Sequence, residues 1–184
     1  MSSTKRPLLE PSHTVVYVHD LDAMVAFYCE ELGFEVADRG PVGTDDEVAF
    51  LSAGLSHHQV AFVTGRTSKG KSSTVDHTAY RSAGDLDDLR DLYERLRAHP
   101  AVTGIRPTTH GNTWSVYFQD PEENGVEVYI DTPWHVQQPQ IKPLDLTKSN
   151  DDIYAYTVAE FEHEAGFEDI SDFTERRARA LEGR

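Results

Sequence analysis

The stretch HTVVYVHDLDAMVAFY, residues 13–28, recurs in altered form as HTAYRSAGDLDDLRDLY at residues 77–93. Each copy opens with His-Thr in a β-rich run, passes through Asp-Leu-Asp and continues as an amphipathic helix. Asp20 and Asp85 are the predicted N-caps of the two helices, and Gly33 is the predicted exit of the first. The apolar positions repeat with the period of a helix, at 21, 24, 25, 28 and 32 and again at 86, 89, 92, 93 and 96. The two copies therefore indicate a duplicated module.

Three strand-like runs follow each helix. They lie at about 34–39, 46–52 and 57–63 in the first half, and at about 104–109, 113–119 and 125–131 in the second. Each half therefore predicts the element order β-α-β-β-β. Neither half has enough apolar residues for a core of its own, so we expect the two sheets to combine. The predicted fold class is α+β, with two paired βαβββ modules forming an eight-stranded cupped mixed sheet, and a C-terminal extension that contains helices.

Changes in composition divide the chain into three predicted parts. Residues 1–10 form an N-terminal arm, residues 11–133 the paired-module domain, and residues 134–184 a Pro-rich strap followed by helices. The modules cover about 11–64 and 75–133, and the stretch GRTSKGKSST at 65–74 has the composition of a linker between them. In the C-terminal part, helices are predicted at 151–165 and 170–182, with Gly166 between them.

The chain has 184 residues, a formal net charge of −15 and a pI near 4.9. This acidity argues against a nucleic-acid surface or an anionic-membrane surface, because both need clustered Lys and Arg. The chain shows no signal-peptide core, no apolar run of membrane-spanning length and a single cysteine, Cys29, so we expect a cytoplasmic protein. Sheet edges left exposed in a domain of this size favour a homo-oligomer, as a dimer or larger.

The run VEVYI at residues 126–130 places the carboxylate of Glu127 between two valines. Burying that charge is unfavourable unless a positive charge lies beside it. His13 and His77 begin equivalent strands of the two modules, and a paired sheet would bring both imidazoles to Glu127. Two imidazoles and one carboxylate are the ligand set of mononuclear non-haem Fe(II), and Mn(II) can occupy the same set. The alternatives are a hydrogen-bonded core role for either histidine and a solvent-facing Glu127 on an alternating strand.

Four pieces of the sequence resemble the vicinal oxygen chelate superfamily of glyoxalases, bleomycin resistance proteins and dioxygenases. They are SHTVVYVHDLDAMVAFYCEELGFEV, SHHQVAFV, VDHTAY and HGNTWSVYFQDPEENGVEVY, and they cover residues 11–133. Within the superfamily, the His-His pair and the Tyr ten positions before the Glu are similar to the type I extradiol catechol dioxygenases. The resemblance is to a small single-domain member. Larger two-domain enzymes of the family have an additional N-terminal domain and a longer spacing between the residues that match His110 and Tyr117.

The resemblance implies a function and a set of site residues. His13, His77 and Glu127 would bind Fe(II), His58 would be the acid–base residue, and His110 and Tyr117 would flank the substrate oxygens. The implied reaction is the opening of a catechol-type ring, such as that of catechol or 2,3-dihydroxybiphenyl, with O₂. The substrates would therefore be a small aromatic diol and O₂.

The residues themselves are consistent with these roles. A histidine with a pKa near neutrality can both accept and donate a proton, which suits His58. His57 and His58 are expected on one strand with opposite orientations, so that only one of them faces the pocket. Tyr117 shares a strand face with Ser115, and the bulkier apolar neighbours are expected to pack under the helices. The alternatives are an exposed polar pair at 57–58 and a Tyr117 that fills core space.

Two other functions remain open from the sequence. The first is a glyoxalase-like or thiol-transferase metalloenzyme of the same superfamily. Its four-ligand pattern requires a carboxylate near the end of the first module's last strand, where the chain has His57, His58 and Gln59. The second is a metal-free binding or resistance protein, which would not need the full set of two histidines and one glutamate.

Overall fold

The computed structural model describes residues 11–70 and 74–182. The chain divides into two compact units, Met1–Lys69 and Gly70–Arg184. The predicted N-terminal arm at 1–10 and residues 71–73 of the predicted linker lie outside the described residues. In the described part of the chain, each helix is too short or too polar to cross a membrane.

The first unit has the predicted order β-α-β-β-β. Its elements are β1 (Thr14–Tyr17), α1 (Leu21–Leu32), β2 (Glu35–Val42), β3 (Asp46–Ser52) and β4 (Val60–Val63). The sheet has the strand order β1-β4-β3-β2, in which β1 is parallel to β4 and the other neighbours are antiparallel. The prediction of the first module is therefore confirmed, although its last strand begins at Val60 rather than at residue 57.

Local side chains explain where α1 begins and ends. The carboxylate of Asp20 accepts a hydrogen bond from the backbone N–H of Ala23 at 3.0 Å, as predicted for an N-cap. Gly33 ends the helix in the left-handed region, with φ of 71°. The buried face of α1 packs on the sheet through Tyr28, whose ring centroid lies 4.7 Å from that of Phe62 on β4.

The second unit repeats the order and extends it. Its module comprises β5 (Thr78–Arg81), α2 (Leu86–Ala98), β6 (Thr103–Thr109), β7 (Thr113–Gln119) and β8 (Gly125–Asp131). Asp85 caps α2, and together with Asp88 it forms a capping box. The sheet order is β10-β6-β7-β8-β5, with β5 parallel to β8. The second βαβββ module is thus confirmed, and with it the α+β class.

The C-terminal extension contains short strands within the segment predicted to be a Pro-rich strap. Its elements are β9 (Trp134–His135), β10 (Lys142–Pro143), α3 (Asn150–Phe161), β11 (Glu168–Asp169) and α4 (Ile170–Glu182). Strand β10 adds a fifth strand to the second sheet by pairing with β6. Helix α3 is anchored by a hydrogen bond of 2.8 Å from the indole N–H of Trp114 to the hydroxyl of Thr157. Both predicted C-terminal helices are present, and α3 ends at Phe161, earlier than expected.

The two faces of the second sheet differ in polarity. One face carries the buried apolar side chains of β7 and β8, which are Trp114, Val116, Phe118, Val126, Val128 and Ile130. The opposite face carries Ser115, Tyr117, Glu127 and Tyr129 at the alternating positions. The polar face is where the candidate site lies.

Candidate metal and catalytic site

Strand register aligns the polar residues of the second sheet in one row. Arg106 on β6 is the partner of Tyr117 on β7, which is the partner of Glu127 on β8, which is the partner of Ala79 on β5. Directly opposed residues on neighbouring strands point to the same face of a sheet. Arg106, Tyr117 and Glu127 therefore project from the same face, and His77 immediately precedes β5 beside them.

Glu127 and His77 form the closest pair in this row. Glu127 is only 7% exposed, and its Oε2 lies 3.2 Å from Nε2 of His77. On its other side, Nδ1 of His77 lies 2.8 Å from the carboxylate of Asp76. A neutral imidazole carries one N–H, and donation to Asp76 uses it. In that neutral tautomer the lone pair of Nε2 faces a buried carboxylate, and a cation bound between the two atoms would remove their repulsion.

A divalent cation would supply that charge, and the donor set fits one. Nitrogen and oxygen ligands bind such ions at about 2.0–2.2 Å, so two ligands at a right angle stand about 3 Å apart. The observed 3.2 Å between Nε2 and Oε2 agrees with that spacing. A carboxylate on the far nitrogen of a ligand histidine is also the usual arrangement at metal sites. Among the described residues, no three His, Cys, Asp or Glu side chains form a ready cation site.

Asp76 is the first of the residues that sequence reasoning missed. Because it fixes the tautomer of His77, we expect Asp76→Ala to lower the affinity of the protein for Fe(II) by about 10- to 100-fold. Asp76→Asn retains an oxygen acceptor for Nδ1 and is expected to lose less. Competition with a chromophoric chelator under anaerobic conditions measures both affinities. Equal affinity in the wild-type and Asp76→Ala proteins would contradict this role.

Tyr117 and His110 form a second pair on the same face. The Nδ1 atom of His110 lies 2.5 Å from the backbone carbonyl oxygen of Gln140. A carbonyl only accepts hydrogen bonds, so Nδ1 carries the proton and Nε2 accepts from the Tyr117 hydroxyl at 2.9 Å. Burial is the main cause that raises the pKa of Tyr117. The neighbouring carboxylate of Glu127 raises this pKa further, and Arg106 acts in the opposite direction.

The C-terminal extension holds His110 in place. Besides the Gln140 carbonyl, the side-chain amide of Gln138 donates to the carbonyl oxygen of His110 at 2.8 Å and to the side chain of Asn112 at 3.0 Å. His110 and Asn112 belong to the turn between β6 and β7. A backbone carbonyl and a side-chain amide of the C-terminal extension therefore hold His110, a predicted site residue, in position.

The first unit brings together the other predicted histidines. The rings of His13 and His58 have centroids 4.4 Å apart. Nδ1 of His58 lies 2.9 Å from Nδ1 of His57, whose Nε2 lies 2.7 Å from the carboxylate of Asp38. Donation from His57 to Asp38 leaves Nδ1 of His57 as an acceptor, so His58 donates from Nδ1 and its Nε2 retains a lone pair. Burial lowers the pKa of His58, and His13 and His57 lower it further.

The expectation that His57 and His58 alternate on a strand is wrong. Both residues precede β4, in the connection that follows β3. The side chain of Gln59 accepts a hydrogen bond from the N–H of Ala53 at 2.9 Å, and Ser52 bonds the carbonyl of Ser56 at 2.6 Å. These bonds fold the connection back on itself, so the two imidazoles are neighbours rather than residues on opposite faces.

The two modules differ at the position of the glutamate. In the first sheet the corresponding row runs from Asp38 through Phe50 and Ala61 to Val15. Because Ala61 pairs with Val15 as Glu127 pairs with Ala79, Ala61 occupies the place of the carboxylate. The first module therefore has an imidazole, that of His13, just before its first strand but no carboxylate at this position of its last strand.

Comparison with known sequences identifies the family of the chain and two similar enzymes. Residues 11–128 match the sequence profile of the Glyoxalase/Bleomycin resistance protein/Dioxygenase superfamily. Biphenyl-2,3-diol 1,2-dioxygenase 2 of Rhodococcus globerulus is 32% identical over 124 residues, which are 65% of this chain and 62% of that enzyme. Metapyrocatechase of Pseudomonas sp. strain CF600 is 31% identical over 128 residues, which are 68% of this chain and 40% of that enzyme. The matched region thus spans less than two thirds of either relative.

A solved structure supports the fold. The glyoxylase/bleomycin resistance protein/dioxygenase domain from Frankia sp. EAN1pec superimposes with a TM-score of 0.57 and 26% identity. The superposition covers 68% of this chain and 100% of the Frankia domain. The mixed α+β architecture predicted from the repeat is therefore shared with a known structure.

Proposed function

Because the chain belongs to the Glyoxalase/Bleomycin resistance protein/Dioxygenase superfamily, we propose that it is an extradiol ring-cleaving dioxygenase. Its substrates are a catechol-type diol and O₂, and its metal is a single non-haem Fe(II). The similarity to an enzyme named biphenyl-2,3-diol 1,2-dioxygenase and to one named metapyrocatechase supports this choice over other reactions of the superfamily. Mn(II) suits the same ligands and is the alternative metal.

One observation carries the proposal. A metal-competent pair, His77 and Glu127, lies on the same sheet face as a hydrogen-bonded proton-transfer pair, His110 and Tyr117. The rings of His77 and Tyr117 are in edge contact, with centroids 5.2 Å apart, so the two pairs adjoin. A reaction that binds a diol to a metal ion and moves its protons requires both metal ligands and an adjacent acid–base pair.

His77, Glu127 and His13 are the proposed ligands, with His13 contributed by the first module. A bound Fe(II) would act as a Lewis acid that favours loss of a diol proton and holds the diol beside O₂. The Tyr117 hydroxyl donates its proton to Nε2 of His110, which leaves the carboxylate of Glu127 available as a ligand. Tyr117 is then oriented to exchange a proton with a substrate oxygen.

His58 is the proposed acid–base residue of the first module. Its Nε2 is the ring nitrogen without a proton, because Nδ1 donates toward His57. Its lowered pKa keeps the ring neutral at physiological pH, as a base requires. The chain from Asp38 through His57 to His58 fixes that tautomer.

The strand register of the first sheet argues against the glyoxalase-like alternative. A fourth ligand from the last strand of the first module requires a carboxylate there, and that position holds Ala61. We therefore propose three protein ligands, which leave positions on the ion for both diol oxygens and O₂.

The experiment that tests this function is anaerobic reconstitution with Fe(II), followed by aeration with a panel of catechols. The expected result is a visible absorption band from the ring-opened semialdehyde acid, with consumption of O₂. Matched samples loaded with Mn(II) or left without metal identify the metal. Absence of both signals for every catechol, in protein that holds stoichiometric iron, would overturn the proposal.

Replacement of Tyr117 by Phe isolates the proton-transfer step. We expect kcat to fall by about 100-fold or more, the usual contribution of a positioned acid or base. The iron content and the affinity for the diol should change little, because the ring and its packing remain. Tyr93→Phe, on α2 and outside the candidate site, is the matched control. A Tyr117→Phe protein with wild-type kcat would contradict this role.

A further inference from the structure

Arg106 is a cation without a carboxylate partner at the candidate site. Most other arginines pair with an acid in the structure, among them Arg39, Arg81, Arg90, Arg97, Arg176 and Arg179. Arg106 is exposed, and within the described residues of its own unit no Asp or Glu lies at ion-pair distance from it. In a chain of net charge −15, a guanidinium left unpaired in this way is unusual.

The guanidinium lies over the ring of Tyr117, 5.1 Å from its centroid. A cation–π contact of this kind uses the charge of the guanidinium and does not consume its N–H donors as hydrogen bonds. Those donors form a planar fork that matches the two oxygens of a carboxylate. The stack therefore orients Arg106 without satisfying its hydrogen-bonding groups.

The position of Arg106 relative to the metal pair sets the size of the ligand. Arg106, Tyr117 and Glu127 are partners on three successive strands, and strands lie about 4.8 Å apart, so the row spans about 10 Å. A diol held at Glu127 would extend across Tyr117 toward Arg106. An aromatic ring with a short acidic side chain is long enough to do so.

We infer that Arg106 determines substrate specificity by binding the carboxylate of a catechol that carries an acidic side chain. The inference rests on the proposed function and adds the substrate class to it. Arg106 is a specificity-determining residue, because its fork contacts a part of the substrate remote from the reacting diol.

The test uses two probes that differ in the charge of the side chain and by one methyl group. These are 3,4-dihydroxyphenylacetate and its methyl ester, compared with the full-length, iron-loaded protein. We expect the wild type to prefer the acid in kcat/KM, and Arg106→Gln to lower kcat/KM for the acid by about 10- to 100-fold, the value of one charge-assisted hydrogen bond. The ester should be affected little. Arg106→Lys retains the charge without the planar fork of donors. Its kcat/KM for the acid should lie between those of the wild type and Arg106→Gln.

Arg97→Gln is the matched control. Arg97 also lies over a tyrosine ring, that of Tyr93 at 5.3 Å, but on the surface of α2. Its replacement should leave the acid-to-ester ratio unchanged. An equal loss for acid and ester in Arg106→Gln would mean that Arg106 only supports Tyr117, and it would overturn the inference, as would no loss at all.

Anaerobic binding separates this inference from the proposed function. The dissociation constants of both probes are measured by calorimetry without O₂. Arg106-dependent preference for the acid, in protein that never cleaves the ring, would refute the dioxygenase proposal and uphold the inference. Cleavage of both probes with no effect of Arg106→Gln on either dissociation constant would uphold the dioxygenase proposal and refute the inference about Arg106.

Discussion

Replacement of Glu127 by Gln is expected to abolish ring cleavage and Fe(II) binding while the fold remains intact. Glu127 is the carboxylate of the proposed ligand set, and a neutral amide is a much poorer ligand for a divalent cation. Loss of a supporting residue around a metal costs about 10- to 100-fold, so loss of a ligand should exceed about 100-fold in metal affinity. Activity should fall at least as much.

In the metal-free protein, by contrast, we expect Glu127→Gln to cause no loss in the free energy of unfolding. Glu127 is 7% exposed, and its carboxylate faces the lone pair of His77 at 3.2 Å. Gln has the same size, carries no charge, and can donate to that nitrogen. Burying an unpaired charge is unfavourable, so its removal should leave the metal-free protein at least as stable as the wild type. Urea unfolding of chelator-treated protein measures the difference.

The control for Glu127→Gln is Glu94→Gln, which removes the same charge from the exposed surface of α2. It should change neither iron content nor activity. Stoichiometric, tightly bound iron in Glu127→Gln would remove Glu127 from the ligand set. A large loss of stability in the metal-free variant would instead assign it a structural role.

Gly125→Ala has the second largest expected effect, although residue 125 is neither a ligand nor a catalytic group. A Cβ at this position would lie 3.2 Å from the Cα of His77 and closer still to the carbonyl oxygen of Asp76. Both obstacles are backbone atoms of the segment that leads into β5, so they cannot move aside as a side chain would. The methyl group would push His77 away from Glu127.

We expect two measurable consequences of Gly125→Ala. Overpacking should lower the free energy of unfolding by about 1–3 kcal/mol. The displaced His77 should lower the affinity for Fe(II) by about 10-fold or more. Gly40→Ala is the matched control, because Gly40 also lies in a strand and a Cβ there meets nothing within 4 Å. Unchanged iron affinity in a folded Gly125→Ala protein would contradict the close approach of β5 and β8.

The elements of both modules were predictable because their signals are local. The period of the apolar residues and the capping aspartates locate α1 and α2, and alternation locates the strands. His77 and Glu127 were predictable as a pair because β5 and β8 are parallel neighbours. The metal-binding roles of His77, Glu127 and His13, the cytoplasmic location and the homo-oligomer stay predictions.

Other features have no local signal. Arg106 faces the site because the β6–β7 register runs unbroken from Thr109 and Trp114 to Arg106 and Tyr117, and the length of the turn sets that register. Gln140 holds His110 through a backbone carbonyl, which every residue has. The pairing of β10 with β6 involves two residues, too few for a periodic pattern. Asp76 is the exception, since an acid next to a predicted ligand histidine is visible in VDHTAY.

The incorporation of oxygen from ¹⁸O₂ tests the central claim most directly. Iron-loaded protein is supplied with a catechol under ¹⁸O₂, and the ring-opened product is analysed by mass spectrometry. An extradiol dioxygenase places both atoms of one O₂ molecule in the product, and the Glu127→Gln protein should form none. Turnover of the diol without label, or with all of the new oxygen derived from water, would contradict the account.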